Sequence, residues 1–435
     1  MQALLSRLSV PSFKNAASAP LMGKVARVLY TVNHSMPFSS NGYAVRTHGV
    51  ASALVKAGLG VIAATRPGTP WDQPGFDGQD FSCSHVIDGV RYVHTPEPSD
   101  KTMPLATYLA RAVDVLKEQI RVFKPSAVMA ASNWRNALPA AIAARELGLP
   151  FFYEVRGFWE ISRAAREPEW AQSAAFQQEV VRETAVALSA QQVFTINRFM
   201  RDELVRRGID QTRVRLVPNG FEGWPAAPME KALGRGDLGI KARYVVGYVG
   251  SFNGYEGLED LIEAVALVRG RGVDVALLLV GSSESRGLGA GMACLATLAY
   301  RNLALRLGIG DVMFTPGRVA PRLADQYYAL LDAVVIPRRP LAVCEIVSPM
   351  KPLEAAAHGK RVLMSDVAPL ADLAGLCPNF SYFKKGDVGA LAEALVQVLA
   401  ACHTPLPRCT ALEALTWEKN VAPMVSAINS SEFQS

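Results

Sequence analysis

A cation and a carboxylate stand three positions apart in the stretch EIVSPMKPLEAAAHGKRVLMSD, residues 345–366. Proline is favoured at the first position of a helix, so Pro352 predicts that a helix begins there. Glu354 would then be the third helical residue, where a carboxylate suits the helix dipole and can cap the helix. Capping leaves Lys351 unexplained, because a cation at a helix start faces the positive end of the dipole.

A ligand that carries both phosphates and hydroxyls would explain both side chains. An ammonium group beside the N–H groups of a helix start can bind a diphosphate. A carboxylate one turn further on has two acceptor oxygens, enough for both hydroxyls of a ribose. The spacing of Lys351 and Glu354 therefore predicts a site for a nucleoside diphosphate. A capped, solvent-exposed first turn is the alternative.

Short apolar runs alternate with helical stretches along most of the chain, which predicts parallel sheets covered by helices. In the first half we predict strands at 25–32, 60–65, 90–95, 126–131, 150–155, 192–196 and 214–218. In the second half we predict strands at 244–250, 275–281, 311–315, 332–337, 361–365 and 381–383. Between them we predict helices at about 43–57, 106–123, 136–147, 168–189, 199–207, 257–269, 289–307, 321–330, 387–401 and 410–428.

A long loop rich in proline and glycine is predicted at 66–100, and residues 223–240 break the alternation with prolines and glycines. A chain of 435 residues is long enough for two cores. The fold class predicted is α/β, with two doubly wound Rossmann-like domains and a deep cleft between them. The domains expected are an N-terminal arm, 1–24; a first domain, 25–225; a linker, 226–242; a second domain, 243–405; and a helix, 406–435, that crosses back to the first domain. Ligands of such sheets bind at the carboxyl ends of the strands.

Several segments, taken in order, resemble the family-4 retaining glycosyltransferases of the GT-B fold. They are HSMPFSSNGYAVRTHGVASAL (34–54), VPNGFE (217–222), GYVGSFNGYEGLEDLIEAV (247–265), PGRV (316–319), YYALLDAVVIPRR (327–339) and SPMKPLEAAAHGKRVLMSD (348–366). The last segment is similar to the sugar-nucleotide site of that family. Among its members, the bacterial enzymes that build exopolysaccharide or capsule have the most similar motifs.

The resemblance implies roles for individual residues. The donor would be bound by a set of glycines, polar side chains and cations: Gly42, Gly250, Ser251, Arg318, Arg338, Lys351 and Glu354. Glu345, Arg156 and Lys351 would take part in catalysis, with Glu345 holding the donor sugar. The segment YEVRGFWE (153–160) would contact the acceptor through Glu154, Trp159 and Glu160. The rings of Phe158 and Trp159 would stack on a sugar or, alternatively, pack in the core.

The chain departs from the family pattern at three places. The first glutamate of the family's E-x7-E signature is expected at position 346, which is an isoleucine, and Glu345 lies one residue away. The family often has an arginine and a lysine in the loop after the first strand of the donor domain, where this chain has Ser251, Phe252 and Glu256. Without that arginine and lysine, other cations, among them Arg339, would neutralise the diphosphate. At the third place, Arg156 stands roughly where many family members have a histidine.

Composition narrows the range of partners. A net charge of +6, without a long basic block, does not indicate nucleic-acid binding. No run of about 18 apolar residues predicts a membrane span, although peripheral membrane association stays open. The first 24 residues do not resemble a signal peptide, and the six cysteines form no C-x-x-C pair. We expect reduced thiols and a cytoplasmic protein, or one at the inner face of the cytoplasmic membrane.

We therefore predict a glycosyltransferase that moves a sugar from a nucleotide-diphosphate sugar to a saccharide or lipid-linked acceptor, with retention, in bacterial surface polysaccharide synthesis. No cofactor or metal is expected besides the nucleotide sugar, because the six histidines lack ligand spacing such as H-E-x-x-H. A sugar-nucleotide epimerase of the same architecture and a catalytically silent saccharide-binding subunit are the alternatives.

Overall fold

The computed structural model describes residues 1–8, 25–39, 41–73, 76, 81–225, 232–283 and 294–432. Most of the predicted N-terminal arm, the beginning of the predicted linker and the start of the helix expected at 289 lie outside these residues. The chain divides into two compact units. Unit 1 is Met1–Gly220 with Trp417–Ser435, and unit 2 is Phe221–Thr416. The sequence analysis had ended the first domain at residue 225. It had begun the C-terminal helix that crosses back to this domain at residue 406.

Unit 1 contains one mixed sheet flanked by helices. Its strands are β1 Arg27–Val32, β2 Gly60–Thr65, β3 Ser84–Ile87, β4 Val90–Val93, β5 Ala127–Ala131, β6 Phe151–Val155, β7 Gln192–Thr195 and β8 Val214–Leu216. Its helices before residue 220 are α1 Gln2–Ser6, α2 Gly42–Lys56, α3 Leu105–Phe123, α4 Trp134–Glu146, α5 Trp159–Ala164, α6 Ala174–Ser189 and α7 Arg198–Arg206. The central strands β5 and β6 are buried along their whole length, as expected of parallel strands covered on both faces.

The strand order of this sheet is β3-β4-β2-β1-β5-β6-β7-β8, and every pair is parallel except β3 with β4. The order reverses between β1 and β5, which is the switch point of a doubly wound sheet. The strand predictions for β1, β2 and β4 to β8 are confirmed within a few residues.

The sequence prediction missed β3, the first strand of a short hairpin. Its turn is Asp88-Gly89, and both residues have positive φ, 49° and 79°. Asp-Gly at these φ values is the preferred sequence of the type I′ turn, which matches the twist of paired strands. This dipeptide was the signal that would have revealed the hairpin.

Unit 2 contains a fully parallel sheet of six strands. They are β9 Tyr244–Val249, β10 Val275–Val280, β11 Met313–Gly317, β12 Ala333–Ile336, β13 Arg361–Ser365 and β14 Phe380–Phe383. The helices are α8 Leu258–Gly270, α9 Leu295–Arg306, α10 Pro321–Leu330, α11 Ala342–Ile346, α12 Lys351–Ala357, α13 Ala368–Ala371 and α14 Val388–Ala400. All six strands were predicted.

The strands of unit 2 follow the order β11-β10-β9-β12-β13-β14. Numbered within the unit, this is 3-2-1-4-5-6, the order of the Rossmann fold. Strands β9 and β12 are neighbours, so the chain leaves the sheet in opposite directions from their carboxyl ends. A ligand of such a sheet binds at this switch point, and residues that follow β9 and β12 are the first candidates to contact it.

The C-terminal segment packs in unit 1 through a tryptophan. The predicted helix 410–428 is broken into a 3-10 turn, Thr410–Ala414, and two helices, α15 Trp417–Asn420 and α16 Ala422–Glu432. The Trp417 ring lies so close to Gly49 on α2 and to Gly220 that a Cβ at either glycine would overlap with it. The guanidinium of Arg46 lies 5.6 Å from the ring centroid.

Cys377 and Cys409 form a disulfide within unit 2, with their Cα atoms 5.4 Å apart. The expectation that all six cysteines are reduced thiols is therefore wrong for this pair. The two residues are 32 positions apart, and a spacing of this length carries no signature that could have paired them. No helix among the described residues is long and apolar enough to cross a membrane.

Candidate functional site

The carboxyl end of β9 in unit 2 is built around a glycine that no other residue could replace without strain. Gly250 directly follows β9 and has a φ of +151°. A Cβ at this position would overlap with Cε of Lys351 and lie 3.3 Å from the hydroxyl of Tyr248. The glycine therefore gives the lysine stem a path across the strand end. Two predicted site residues, far apart in the sequence, are in contact here.

Lys351 is the first residue of α12, and its ammonium group is held over the strand end. Its Nζ lies 5.1 Å from the centroid of the Tyr248 ring and 3.4 Å from Oε1 of Glu256. The side chain is 17% exposed. The prediction that a lysine stands at a helix start is confirmed.

Glu256 connects Lys351 to a second cation, Arg338. Arg338 follows β12 by two residues, and its guanidinium donates to both oxygens of Glu256, at 3.1 and 3.4 Å. It also donates to the carbonyl of Val347 at 2.7 Å. Both Glu256 and Arg338 are buried, at 2% and 5% exposure. The prediction that Arg338 contacts a diphosphate must be revised, since its donors face a carboxylate and a carbonyl inside the unit.

Electrostatics keeps this carboxylate charged. Burial alone would raise the pKa of Glu256, but the charges of Arg338 and Lys351 outweigh burial and lower the pKa to about 2. Burial alone would lower the pKa of Arg338, but Glu256, with smaller contributions from Cys344 and Tyr255, raises it, so Arg338 also stays ionised. At neutral pH the cluster of Lys351, Glu256 and Arg338 therefore carries a net charge of +1. The lysine is its accessible cation.

Glu354 lies one turn after Lys351 and does not cap the helix. The helix begins at Lys351, one residue before the predicted Pro352, so Glu354 is its fourth residue. Its Oε2 accepts a hydrogen bond of 3.3 Å from the hydroxyl of Tyr328, whose ring stacks on His358 at 4.6 Å. Burial raises the pKa of Glu354, and Lys351 and Tyr328 only partly compensate. The simpler explanation of Glu354 as a helix cap is therefore wrong.

Glu345 is engaged by two neighbours. Its Oε2 accepts from the backbone N–H of Ala368 at 2.9 Å, which caps the start of α13. Its Oε1 pairs with Nζ of Lys385 at 2.6 Å. The carboxylate is about one third exposed. Its predicted contact with a donor sugar stays a prediction, and such a contact would require one of these partners to share an oxygen.

The remaining donor-site candidates of unit 2 lie at strand ends. Ser251 is exposed after Gly250, and its carbonyl accepts from the Tyr248 hydroxyl at 3.0 Å. Arg318 follows β11, the outermost strand, two places from β9. Burial lowers the pKa of Arg318. Arg339, the other arginine considered, pairs with Asp260 at 2.6 Å.

In unit 1, two predicted site residues belong to a buried ionic network instead of a surface. Glu154 is 0% exposed, and its Oε1 accepts from Arg46 at 2.8 Å. Its Oε2 accepts from Arg156 at 2.8 Å and from the Tyr30 hydroxyl. The prediction that Glu154 contacts an acceptor must be revised, because both of its oxygens are used inside the sheet.

Arg156 is equally buried and lies just after β6. Besides Glu154, its guanidinium donates to Tyr30, to the hydroxyl of Thr47 at 2.8 Å and to the carbonyl of Tyr43 at 3.1 Å. The last two residues belong to α2. Arg156 therefore ties the carboxyl end of β6 to the first turns of α2, and its predicted catalytic role stays a prediction.

Glu160 lies inside a second buried cluster of unit 1. Its carboxylate accepts from Arg207 at 2.7 Å, and the residue is 3% exposed. Nearby, Glu183 accepts from the backbone N–H of Trp134 at 2.9 Å and from the Tyr153 hydroxyl. Burial, reinforced by the charge of Glu160, raises the pKa of Glu183 to about 8. The acceptor contact predicted for Glu160 must be revised on grounds of burial.

Two other predicted site residues of unit 1, Trp159 and Gly42, are exposed and could contact a ligand. Trp159 begins α5 and is 40% exposed, so the alternative that it packs in the core is wrong. The same alternative is confirmed for Phe158, which is buried. Gly42 is the first residue of α2, and a Cβ there would meet nothing within 4 Å. Neither space nor a positive φ requires a glycine at position 42, and its predicted contact with the donor stays a prediction.

The sequence reasoning missed Glu256 as a site residue. The family resemblance had pointed to this loop, because it implies cations there and this chain has Glu256. Tyr248 and Tyr328, which position Lys351 and Glu354, carried no comparable signal. Among the residues the structure describes, no group of three or more His, Cys, Asp or Glu side chains could hold a metal ion.

Each of the two units contains a stretch that matches a known protein-family model. Residues 41–220 match the family model of the glycosyl transferase 4-like domain, and residues 243–401 match that of glycosyl transferases group 1. A D-inositol 3-phosphate glycosyltransferase from Nocardia farcinica is 30% identical over 168 residues, which are 38% of this chain. The match spans only 35% of that relative's length.

Solved structures share the fold over nearly the whole chain. Sucrose-phosphate synthase from Thermosynechococcus elongatus superimposes with a TM-score of 0.72 at 19% identity, covering 94% of this chain and 100% of that one. HepE from Anabaena, in complex with UDP-glucose, superimposes with a TM-score of 0.59 at 16% identity. The superposition covers 94% of this chain and 97% of HepE. At these identities the similarity establishes a common fold, the two-domain GT-B architecture.

Proposed function

Because the chain carries the two domains of the family-4-like glycosyltransferases in the GT-B fold, we propose that it transfers a sugar from a nucleotide-diphosphate sugar to a saccharide or lipid-linked acceptor. The observation that carries the proposal is the position of Lys351. Its stem crosses Gly250 at the switch point of the Rossmann-like sheet of unit 2, with Glu354 one turn further along the same helix.

The chemistry assigned to Lys351 is stabilisation of the leaving group. When the sugar–phosphate bond breaks, negative charge grows on the nucleoside diphosphate. A fixed cation that meets this charge in a partly buried site lowers the barrier more than one in water would. The helix α12 has only seven residues, so we assign the anion contact to the lysine side chain and not to the helix terminus.

Glu354 is proposed to bind the ribose. A carboxylate can accept two hydrogen bonds from neighbouring hydroxyls, and Tyr328 uses only one of its oxygens at 3.3 Å. Glu345, which is partly exposed, is proposed to contact the donor sugar, and Arg318 and Ser251 to contact the phosphates. On the acceptor side we propose Trp159, whose exposed ring can stack on a sugar, with Gly42 allowing close approach of the donor.

We also propose transfer with retention, without a metal, and a role in bacterial surface polysaccharide synthesis at the inner face of the cytoplasmic membrane. The support for these points is the resemblance of the segment from Cys344 to Val367 to enzymes that build exopolysaccharide or capsule. The anomeric proton coupling of the product, measured by NMR, tests retention. Activity that persists in EDTA tests metal independence.

The central experiment incubates the protein with UDP-, GDP- and ADP-sugars, with and without saccharide acceptors, and measures nucleoside diphosphate release. We expect one donor to be consumed, and Lys351→Met to reduce the rate at least tenfold with the fold intact. The matched control is Asp332→Asn. Asp332 pairs with Arg235 at 2.8 Å at the amino end of β12, so its loss should leave turnover unchanged.

Two results would contradict the proposal. Conversion of the donor to its epimer without sugar transfer would favour an epimerase. Saccharide binding with no donor turnover, and no binding of any nucleoside diphosphate, would favour a silent binding subunit.

A further inference from the structure

The loop after β9 carries a buried carboxylate beside a lysine from another element. Nζ of Lys351, the first residue of α12, lies 3.4 Å from Oε1 of Glu256. The glutamate is buried at 2% exposure. It ends the 3-10 turn Gly254–Glu256 and precedes Gly257, whose φ is +71°. A Cβ at Gly257 would overlap with the carbonyl of Pro337, so the backbone that carries Glu256 is fixed against the end of β12.

Its carboxylate is fixed as well. Arg338 donates two hydrogen bonds to it, at 3.1 and 3.4 Å, and donates a third to the carbonyl of Val347. A guanidinium is planar and presents its donors in a rigid fork, so two bonds to one carboxylate set its orientation. Lys351 Nζ lies 3.4 Å from Oε1 of Glu256, the oxygen that also accepts from Arg338 at 3.1 Å. The carboxylate that Arg338 orients is therefore the one that contacts the lysine.

Lys351 by contrast is held loosely enough to bind something else. Among the described residues its ammonium makes one hydrogen bond, the 3.4 Å contact with Glu256, and lies over the face of Tyr248. An ammonium has three donors. One donor is thus directed at Glu256, and the side chain is partly exposed. A long, flexible lysine stem would otherwise adopt many rotamers, and ordering them costs on the order of 1–2 kcal/mol.

We propose that Glu256 is a positioning residue of the donor site: oriented by Arg338, it holds the Lys351 ammonium above Gly250, where it meets the diphosphate of a nucleotide sugar. This inference rests on the proposed function. Glu256 does not touch the donor in this arrangement. It acts through Lys351, by ordering its ammonium group before the ligand arrives, and precise placement of a charged group is what such sites require.

A single substitution of Glu256 would mix two effects. Glu256→Gln removes a negative charge, which by itself favours an anionic ligand, and it leaves Arg338 as a buried, unpaired charge, which is strongly destabilising. The paired variant Glu256→Gln with Arg338→Gln avoids both effects. The wild-type cluster has two positive charges and one negative, and the paired variant has Lys351 alone, so both carry +1.

The experiment is a double-mutant cycle on ligand binding. Inorganic pyrophosphate, UDP, GDP and ADP are titrated calorimetrically into the wild type, the paired variant, Lys351→Met and the combination of all three substitutions. Thermal unfolding establishes that each protein is folded. We expect the paired variant to bind pyrophosphate and the preferred nucleotide about tenfold more weakly than the wild type, despite the equal charge. In the Lys351→Met background, the paired substitution should change nothing further.

Each outcome decides between explanations. Unchanged affinity in the paired variant overturns the inference and leaves the proposed function standing. An equal loss with and without Lys351 also overturns it, since Glu256 and Arg338 would then act on the ligand directly or through the fold. If the wild type binds none of the four ligands, the proposed function itself has failed. Asp332→Asn serves again as the control that removes a carboxylate from an arginine pair at the opposite end of the sheet.

Discussion

The Cε carbon of Lys351 occupies the space where a side chain at position 250 would begin. Gly250 belongs to the strand end of β9 and Lys351 to α12, 101 positions later in the chain. A glycine is required there for two reasons, its φ of +151° and the passage of the lysine stem. The position of the accessible cation therefore depends on a residue that has no side chain.

Gly250→Ala should displace the lysine and weaken nucleoside diphosphate binding by about tenfold or more. The strained backbone should also cost on the order of 1–3 kcal/mol of stability. The matched control is Gly254→Ala in the same loop, where a Cβ would meet nothing within 4 Å and φ is not positive. Calorimetric titration with UDP, GDP and ADP measures the effect. Equal affinities of the two variants would show that the lysine position does not govern binding.

Glu354→Gln should selectively weaken recognition of the ribose. An amide offers one acceptor oxygen in place of two, so a bidentate contact with the two hydroxyls is lost. We expect the wild type to bind the ribonucleoside diphosphate several-fold more tightly than its 2′-deoxy analogue. The variant should bind both nearly equally. If the preference for the ribonucleotide survives the substitution, the ribose is bound elsewhere.

Glu183 should make the stability of the protein pH-dependent. Its pKa is about 8 in the folded protein, raised by burial and by Glu160 from an ordinary value of 4.5. Between these values the folded state binds more protons than the unfolded chain, so the free energy of unfolding falls as the pH rises. Tyr153, Arg207 and the N–H of Trp134 also face or act on this carboxyl group.

Glu183→Gln mimics the protonated form and should therefore flatten this dependence. Thermal unfolding of the wild type and the variant from pH 5 to pH 8 is the measurement. The wild type should lose stability relative to the variant across this window. A constant difference between them over that range would mean that folding does not raise the pKa of Glu183.

The disulfide between Cys377 and Cys409 should stabilise unit 2. It closes a loop of 32 positions, for which the chain-entropy model gives about 3–4 kcal/mol. A reducing agent should lower the unfolding temperature of the wild type. It should have no effect on the variant Cys377→Ser with Cys409→Ser, and Cys83→Ser, at an exposed free thiol, should behave as the wild type. Insensitivity of the wild type to reduction would show that the bond does not form in solution.

The sequence by itself was enough to predict the two Rossmann-like domains, because buried parallel strands and amphipathic helices leave local, periodic patterns. The Asp88-Gly89 hairpin was also readable in principle from its turn residues. Lys351 and Glu354 were found because a lysine at a helix start is electrostatically unexpected. In each case the information lies within a few neighbouring residues.

Only the tertiary structure decided which charges meet. The sequence treated Glu154, Glu160 and Arg338 as surface contacts, but burial next to Arg46, Arg207 and Glu256 uses their polar atoms inside the protein. The partners are separated by 47 to 108 positions, and an isolated sequence does not record such pairings. A charged residue beside apolar neighbours can face solvent or a buried partner of opposite sign, and only the folded chain shows which.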